Sequence, residues 1–374
     1  MKRKNLMIEY GSEFDWDSNI PFLRNECGGL PLDARYNVRY YRSGRDALKA
    51  VALKYKHKYK HVLLPSLCCV SMASPFIVNG YTPSFYKINR GLSADTEDVG
   101  KKLQSDSLLV FNNYFGSEPL TRCDIKTIKE KHKNIIIIED RTHDMIVPRR
   151  EEHGADYVAA SIRKWLAVPD GGILYSEKAT EGFKEILEED REFSRIRKEA
   201  LILKSEYLKN GGEKLKSEYR TGFGSAERLL DEDGIPRVMS NDSMEIISHT
   251  DFNAVYETRI KNIFTLNKCF YGSGINTATA YPEKSCLYYP VLVDNRDRIQ
   301  TELAARRIYC PVIWSIPGIA SNTCDVSEYI SAHILALPCD QRYDEKDMEY
   351  IASQVVSGVT GVCDLHSNKN IKAF

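Results

Sequence analysis

Several things are missing from this sequence, and each absence removes a class of function. No apolar run approaches the roughly 18–20 residues of a membrane-spanning helix. Neither charge is in excess: 52 Lys and Arg face 52 Asp and Glu. A general nucleic-acid binder would show a basic surplus, and a membrane-surface protein a polybasic cluster. The ten cysteines contain no CxxC, and only Cys68 and Cys69 lie close together. Zinc ribbons and thioredoxin-type sites are therefore not expected. No GxxxxGK[ST] loop, internal repeat or low-complexity tract occurs. The basic start MKRKN is followed only by Leu6, Met7 and Ile8, too few apolar residues for an export signal. A cytoplasmic protein is expected, with its cysteines as reduced, mostly buried thiols. His57 and His61 stand four apart, but within KYKHKYKH they have no third ligand nearby, so no metal is expected.

What is present is ordinary globular composition, 43% apolar and 28% charged, over 374 residues. At roughly 150 residues per domain, two or three domains are expected. Strand and helix patterns alternate through residues 40–180. Helical faces open at Ser43-Gly44-Arg45, over 66–79, 95–104 and 124–132. Between them lie short apolar strands at 61–65, 83–88, 107–111, 155–161 and 171–176. NIIIIED (134–140) is the clearest strand, apolar on both faces as a buried parallel strand must be. Such alternation predicts a doubly wound, mostly parallel sheet with helices on both faces. From 180 to 270 the pattern is helical and rich in charge, interrupted at Gly211-Gly212 and at Gly222-Phe223-Gly224. A long helix is expected over 253–270. Strands at 287–293 and 334–338, with helices near 295–306 and 344–356, make a small α+β unit. The resulting division is an N-terminal segment 1–34, a large domain 35–255 and a small C-terminal domain 256–374.

Ligands of doubly wound sheets bind at the carboxyl ends of the strands, so the residues just after each strand matter most. Asp140 ends the apolar strand, where a carboxylate needs a positive partner. His143 follows three residues on, and Lys164 lies 24 residues after Asp140 in Ser161-Ile162-Arg163-Lys164. Ser43-Gly44-Arg45 begins a helix, whose free N–H groups and dipole favour phosphate. Pro169-Asp170-Gly171-Gly172 is read as a turn and given no chemistry. A phosphate site, a buried carboxylate for a protonated ring nitrogen, and a lysine able to form a Schiff base are together the requirements of pyridoxal 5'-phosphate (PLP).

In order along the chain, SGRDAL (43–48), LLPSLCCVSMASPFIVNGYTPSFYKI (63–88), NNYFG (112–116), IIEDRTHD (137–144), SIRKWLAVPDGG (161–172) and ILALPCDQRY (334–343) resemble the motifs of the DegT/StrS-type aminotransferases. These are fold type I PLP enzymes that aminate nucleotide-linked keto-sugars. The resemblance implies a PLP-transferase-like α/β fold, a large domain with a mostly parallel, seven-stranded type of sheet and a small C-terminal α+β domain. It implies Lys164 as the Schiff-base lysine and proton carrier, Asp140 at the pyridine nitrogen and His143 near the ring's 3-oxygen. The backbone of Gly44 and Arg45, with the Ser161 hydroxyl, would hold the phosphate. Cys69 stands where the family often stacks an aromatic ring on the cofactor. Ser161 precedes the lysine by three residues, where the family's serine precedes it by five. The family's Gly-Tyr-Asn-Tyr-Arg-Met segment, whose Asn reaches the neighbouring subunit's cofactor, is absent; PRVMSNDSMEII (236–247) occupies that region, with Ser240 and Asn241 as the polar candidates.

The implied function is transfer of an amino group from glutamate to a keto-sugar nucleotide or a similar keto acceptor, in a homodimer serving polysaccharide biosynthesis. Arg42, Arg45, Arg149 and Arg150 are candidates to meet a diphosphate. A sugar dehydratase of the same family needs histidine in place of Lys164. The alternatives are a PLP-fold protein that binds without turnover, or a related PLP enzyme acting on a non-sugar substrate.

Overall fold

The computed structural model describes residues 7–26, 28–146, 154–178, 183, 186–230, 234–279 and 282–361. Arg149, Arg150 and residues 151–153 lie outside them.

Strands of successive apolar residues must be covered on both faces, and the first half of the chain arranges this. β1 is the short Tyr10–Gly11, β2 is Asn37–Tyr41, β3 His61–Pro65, β4 Thr82–Tyr86, β5 Ser107–Asn112, β6 Ile136–Asp140, β7 Tyr157–Ala160 and β8 Gly172–Ser176. β9 (Ile186–Glu189) and β10 (Arg237–Val238) complete a nine-stranded sheet in the order β4-β3-β5-β6-β7-β8-β2-β10-β9. β3 to β7 run parallel, and β8 runs antiparallel to both β7 and β2. In β6, Ile136 and Ile138 pack on one face with Leu108, Val110 and Leu64, while Ile137 packs on the other with Leu63, Leu109 and Phe111. Each fully buried side chain of this kind contributes roughly 2 kcal/mol. The parallel direction of β5, β6 and β7, with β8 reversed, brings three strand ends and the Gly171-Gly172 start of β8 to one edge.

The helices expected in this half are α1 (Gly44–Tyr55), α2 (Val70–Ile77), α3 (Thr96–Lys102) and α4 (Arg122–Lys131). α1 is more deeply covered than a one-faced helix. Asp46 to Ala52 are all buried, and the Lys49 amine ends on the Leu230 carbonyl at 3.0 Å. α2 is shorter than its pattern, because residues 66–69 turn first and Cys69 stands at its N-cap.

α5 (Arg191–Asn210) and α6 (Glu213–Leu229) form the charge-rich hairpin, broken at Gly211-Gly212 as expected. The expected break at Gly222-Phe223-Gly224 does not occur, and α6 runs straight through it. A Cβ on Gly222 would stand 3.0 Å from the Ala200 Cβ of α5. The glycine is therefore a close helix crossing. β9 and β10, two short strands within the stretch expected to be helical, extend the sheet beyond β2.

α7 (Asn241–Ser248) leads to α8 (Phe252–Phe270), and the division expected at 255/256 falls within the first turn of α8. Beyond it, β11 (Asn276–Thr277), β12 (Tyr288–Leu292) and β14 (Ile334–Pro338) make a three-stranded antiparallel sheet. α9 (Arg296–Ala305), β13 (Ile308–Tyr309), α10 (Asp325–His333) and α11 (Glu345–Thr360) complete the C-terminal half. Its core is continuous with the large sheet: Ile263, Leu266, Leu335, Leu337 and Ile351 pack in one cluster with Leu109 and Ile137.

The N-terminal segment is tied down at both ends. β1 pairs in parallel with β13. The Tyr343 hydroxyl donates to the Glu9 carbonyl and accepts from the Gly11 N–H. Farther on, the Asn19 side chain donates to the Ala167 carbonyl at 2.7 Å and accepts from the Ala167 N–H at 3.1 Å.

Candidate active site

A cavity of about 930 Å³ opens where the strand ends converge, and Gly44, Arg45, Cys69, Asp140, His143, Ser161 and Lys164 all line it. Seven positions spread over 120 residues of sequence are thus brought together by the sheet topology.

One corner is the start of α1. The Ser43 hydroxyl accepts from the Asp46 N–H at 3.1 Å and caps the helix. A Cβ on Gly172 would lie 2.1 Å from the Ser43 carbonyl group, so β8 and α1 can touch only through glycine. The Gly171 N–H donates to the Arg42 carbonyl at 2.7 Å. The turn that carried no chemistry in the sequence is the floor beneath the helix start. Asp170 within it is buried and accepts from the Ser240 N–H, the Ser240 hydroxyl and the Ser243 hydroxyl. Burial pushes its carboxyl up to about 6 against those three bonds. Ser240 is thereby committed to capping α7, and the Asn241 N–H donates to Glu189. Neither Ser240 nor Asn241 lines this cavity.

The second corner is the end of β6. Asp140 accepts from the Thr142 N–H at 2.8 Å. Burial raises its pKa, while Thr142 and the nearby Lys164 charge oppose the rise. Asp140 makes no ion pair among the described residues, and a protonated ring nitrogen would supply it with a positive partner. His143 is sandwiched between Trp314 and Phe115, with both ring centroids at 4.8 Å. Burial and the Lys164 charge hold its pKa well below the ordinary value, so it is neutral. Its Nδ1 and the Asn112 Oδ1 are buried without hydrogen-bond partners among the described residues. Cys69 is half-buried, its thiol 2.9 Å from the Ser71 hydroxyl.

Lys164 follows β7 on a single turn, Ile162–Lys164, whose flanks are stitched down. The Ser161 N–H donates to the Thr142 hydroxyl, and the Trp165 Nε1–H donates to the Thr142 carbonyl at 2.7 Å. The lysine itself is exposed to the cavity, and its amine makes no hydrogen bond or ion pair among the described residues. Ser161 is buried against Gly44, whose added Cβ would meet the Ser161 Cβ at 3.1 Å.

The opposite wall was not visible in the sequence. Lys216, Tyr219, Arg220, Phe223 and Glu227 present one face of α6 to the cavity, joined by Glu9, Ser12, Glu13 and Phe14 of the N-terminal segment. Glu227 gathers three guanidinium groups: Arg163 at 2.5 Å, Arg45 at 3.3 Å and Arg197 at 3.4 Å. Burial alone would raise its carboxyl, but the three arginines outweigh it and hold it at about 2. Arg197 also reaches Glu13 at 3.2 Å. Only adjacency to Lys164 could have drawn attention to Arg163. Glu227, Trp314 and Glu13 sit in unremarkable helical or irregular sequence and arrive through tertiary packing.

No family model matches the sequence, and no curated protein matches it. Solved structures do match. Spr1654 of Streptococcus pneumoniae, assigned as a sugar aminotransferase, in its PLP form, aligns over 97% of this chain and 100% of its own at 13% identity, TM-score 0.62. PseC of Helicobacter pylori, an aminotransferase of pseudoaminic acid biosynthesis, covers 96% and 100% at 13% identity, TM-score 0.60. DesV of S. venezuelae, solved with a ketimine intermediate, covers 86% and 84% at 17% identity, TM-score 0.61. This is the fold of the sugar aminotransferases. The sugar-aminotransferase fold spans both halves of the chain, so the strand-end cavity and its C-terminal wall belong to one architecture. No helix among the described residues is long and apolar enough to cross a membrane.

Proposed function

We propose that the chain is a PLP-dependent aminotransferase that takes an amino group from glutamate and delivers it to a keto-sugar nucleotide or a similar keto acceptor. One observation carries the reading: an unpartnered lysine amine faces a cavity that also holds a buried, under-compensated carboxylate and a helix start. The residues fit the cofactor. Asp140 offers the pyridine nitrogen a counter-charge, the opening turn of α1 with Ser161 offers a phosphate cradle, and the orphan atoms of His143 and Asn112 offer partners to ring substituents.

When bound, PLP supplies an electron sink for the electron pair released at the substrate's amine-bearing carbon. The chain's own groups do the rest. Asp140 would keep the ring nitrogen protonated. The Lys164 amine would hold the cofactor and move the proton at the substrate's amine-bearing carbon. His143, kept neutral between Trp314 and Phe115, would meet the ring's 3-oxygen. Trp165 and Thr142 hold the lysine turn in register with the strand ends. In this reading the large domain 35–255 carries the cofactor, the small domain 256–374 adds Tyr288, Tyr309, Trp314 and Arg342 to the cavity lining, and the protein works as a cytoplasmic homodimer.

The test is the near-visible absorbance of the protein with PLP, beside Lys164→Ala, before and after glutamate. A band that the variant lacks and glutamate bleaches supports the assignment. The same band in both proteins removes Lys164 from the site. A band that glutamate never bleaches leaves a cofactor-binding protein without this donor.

A further inference from the structure

Asp170 is a buried acid that the proposed chemistry does not use. It has no exposed surface and stands between the Ile162–Lys164 turn and β8. Its hydrogen bonds run to the start of α7. The carboxylate accepts from the Ser240 N–H at 2.9 Å, from the Ser240 hydroxyl at 2.7 Å and from the Ser243 hydroxyl. The Asp170 N–H donates to the Ser243 oxygen at 3.2 Å. The two residues that follow are a joint. The Gly171 carbonyl accepts from the Ile162 N–H at 3.0 Å and the Arg163 N–H at 3.3 Å, both in the lysine turn. The Gly171 N–H donates to the Arg42 carbonyl, next to the Ser43 cap of α1. Gly172 passes so close to that helix start that a Cβ on it would stand 2.6 Å from the Gly44 nitrogen. The backbone beside one carboxylate therefore touches both the α1 start and the turn that carries Lys164.

No cation pairs with Asp170 among the described residues. On the flanking elements, the Arg42 guanidinium is taken by Asp46 at 2.8 Å and Asp190 at 2.5 Å, Arg163 by Glu227 at 2.5 Å, and Lys198 by Asp242 at 2.5 Å. Glu189 of β9 adds a like charge. An ionised carboxylate only accepts hydrogen bonds, whereas a protonated one must also donate. A buried carboxylate held by neutral donors alone must therefore rearrange those bonds when it takes up a proton. Burial pushes this one up to about 6, so the change falls within reach of ordinary pH.

We infer that Asp170 is a positioning residue: its ionised carboxylate anchors residues 169–172 to α7 and so holds the α1 start at the distance from Lys164 that a phosphate-bearing cofactor must span. The inference rests on the PLP reading for the ligand, and its test is binding rather than turnover. A ligand that engages both ends gains from their spacing, whereas one that engages Lys164 alone does not. Pyridoxal, which lacks the phosphate, is the control. PLP and pyridoxal are titrated into full-length wild-type protein and Asp170→Asn between pH 5 and 8, followed by near-visible absorbance, with folding checked by circular dichroism. The asparagine keeps the shape and fixes the group neutral. At pH 8 the preference for PLP over pyridoxal is expected to be at least fivefold greater in wild type than in D170N, and the difference should vanish by pH 5. Comparing the two proteins cancels the ionisation of the phosphate itself. Ser243→Ala removes one donor from the carboxylate, so the fall in preference should move to higher pH than in wild type. If D170N does not fold, S243A decides alone. Equal preferences at pH 8, a difference that persists to pH 5, or a fall that S243A does not move would overturn the inference. Wild-type protein with a Lys164-dependent band but the preference of D170N loses only this inference. Protein that forms a band with neither ligand loses the PLP reading as well.

Discussion

The two long walls of the cavity rest on different physics. One grows from the ends of β5, β6 and β7. Asp140, His143 and Lys164 stand there on short connections leaving a sheet whose both faces are dry; Asp140 and the lysine turn are held through Thr142, and the His143 ring by Phe115 and by Trp314 of the C-terminal half. The other is the inner face of α6 with the N-terminal segment. Glu227, Arg163, Arg45, Arg197 and Glu13 hold it by charge, across separations of up to 184 residues. The first wall is rigid because apolar packing leaves no alternative. The second is held by ion pairs, which pH and salt can weaken. A site built this way has a fixed chemical floor and a facing wall that can be tuned.

The comparison can be broken at its strongest point. Lys164→Ala should lower the glutamate half-reaction by roughly 10³-fold or more with the fold intact, measured by single-turnover absorbance and circular dichroism. A fold lost with the lysine would mean that the first wall is not independently rigid. Asp140→Asn keeps the shape and removes the counter-charge, so a loss of about 10²–10³-fold in rate is expected, with weaker retention of PLP on dialysis. Wild-type rates in this variant would take Asp140 away from the ring nitrogen.

Glu227→Gln addresses the second wall. It leaves Arg45, Arg163 and Arg197 facing one another without their shared counter-charge, and a loss of about 2 kcal/mol is expected from the denaturant midpoint. Because Glu227 titrates at about 2 when folded, below the ordinary glutamate value, its contribution is present near neutrality. It should fade as pH falls from about 4.5 toward 2. Gly222→Val should cost about 1–3 kcal/mol by forcing α6 from α5 at Ala200. Its effect on the half-reaction should be small unless α6 moves as a unit.

The smallest effect concerns Lys204, which is buried beneath the N-terminal segment with its amine on the Ser12 hydroxyl at 2.6 Å. Burial lowers its pKa to about 8, with the Arg342 charge adding to the fall and Glu9 opposing it. The folded protein therefore releases this proton more readily than the unfolded chain. Stability from this group should rise as pH climbs from about 8 to about 10.5, and Lys204→Met should flatten that rise. An unchanged slope in the variant would assign the pH dependence elsewhere.

What could be read in the sequence divides along the same line. β6 was legible because IIII can only be a strand buried on both faces, and Asp140 and Lys164 because their strands place them at one edge. The Gly211-Gly212 break was legible as well, whereas the helix expected over 66–79 starts only at Val70, with Cys69 as its N-cap. The second wall escaped. α6 reads as a solvated charged helix, since a carboxylate serving three distant arginines looks in sequence like any surface glutamate. Gly222 misled for a related reason: a glycine that permits a close crossing and one that ends a helix have the same local signature. Short strands such as Arg237–Val238 leave no periodic trace at all.

The pairing of Tyr10–Gly11 with Ile308–Tyr309, and of Asn19 with Ala167, bears on synthesis. The strand-end floor can form once residue 176 has left the ribosome, because β2 to β8 are then available. The segment that carries Glu9 and Glu13 can meet Arg197 and Lys204 once α5 is made, but its pairing with β13 and Tyr343 must wait until residues 308–343 emerge. At about 5–20 residues per second that interval is on the order of ten seconds. The strand that fixes the residues made first is thus completed last, and a chain stalled before residue 308 would lack the Tyr309, Trp314 and Arg342 side of the cavity around Lys164.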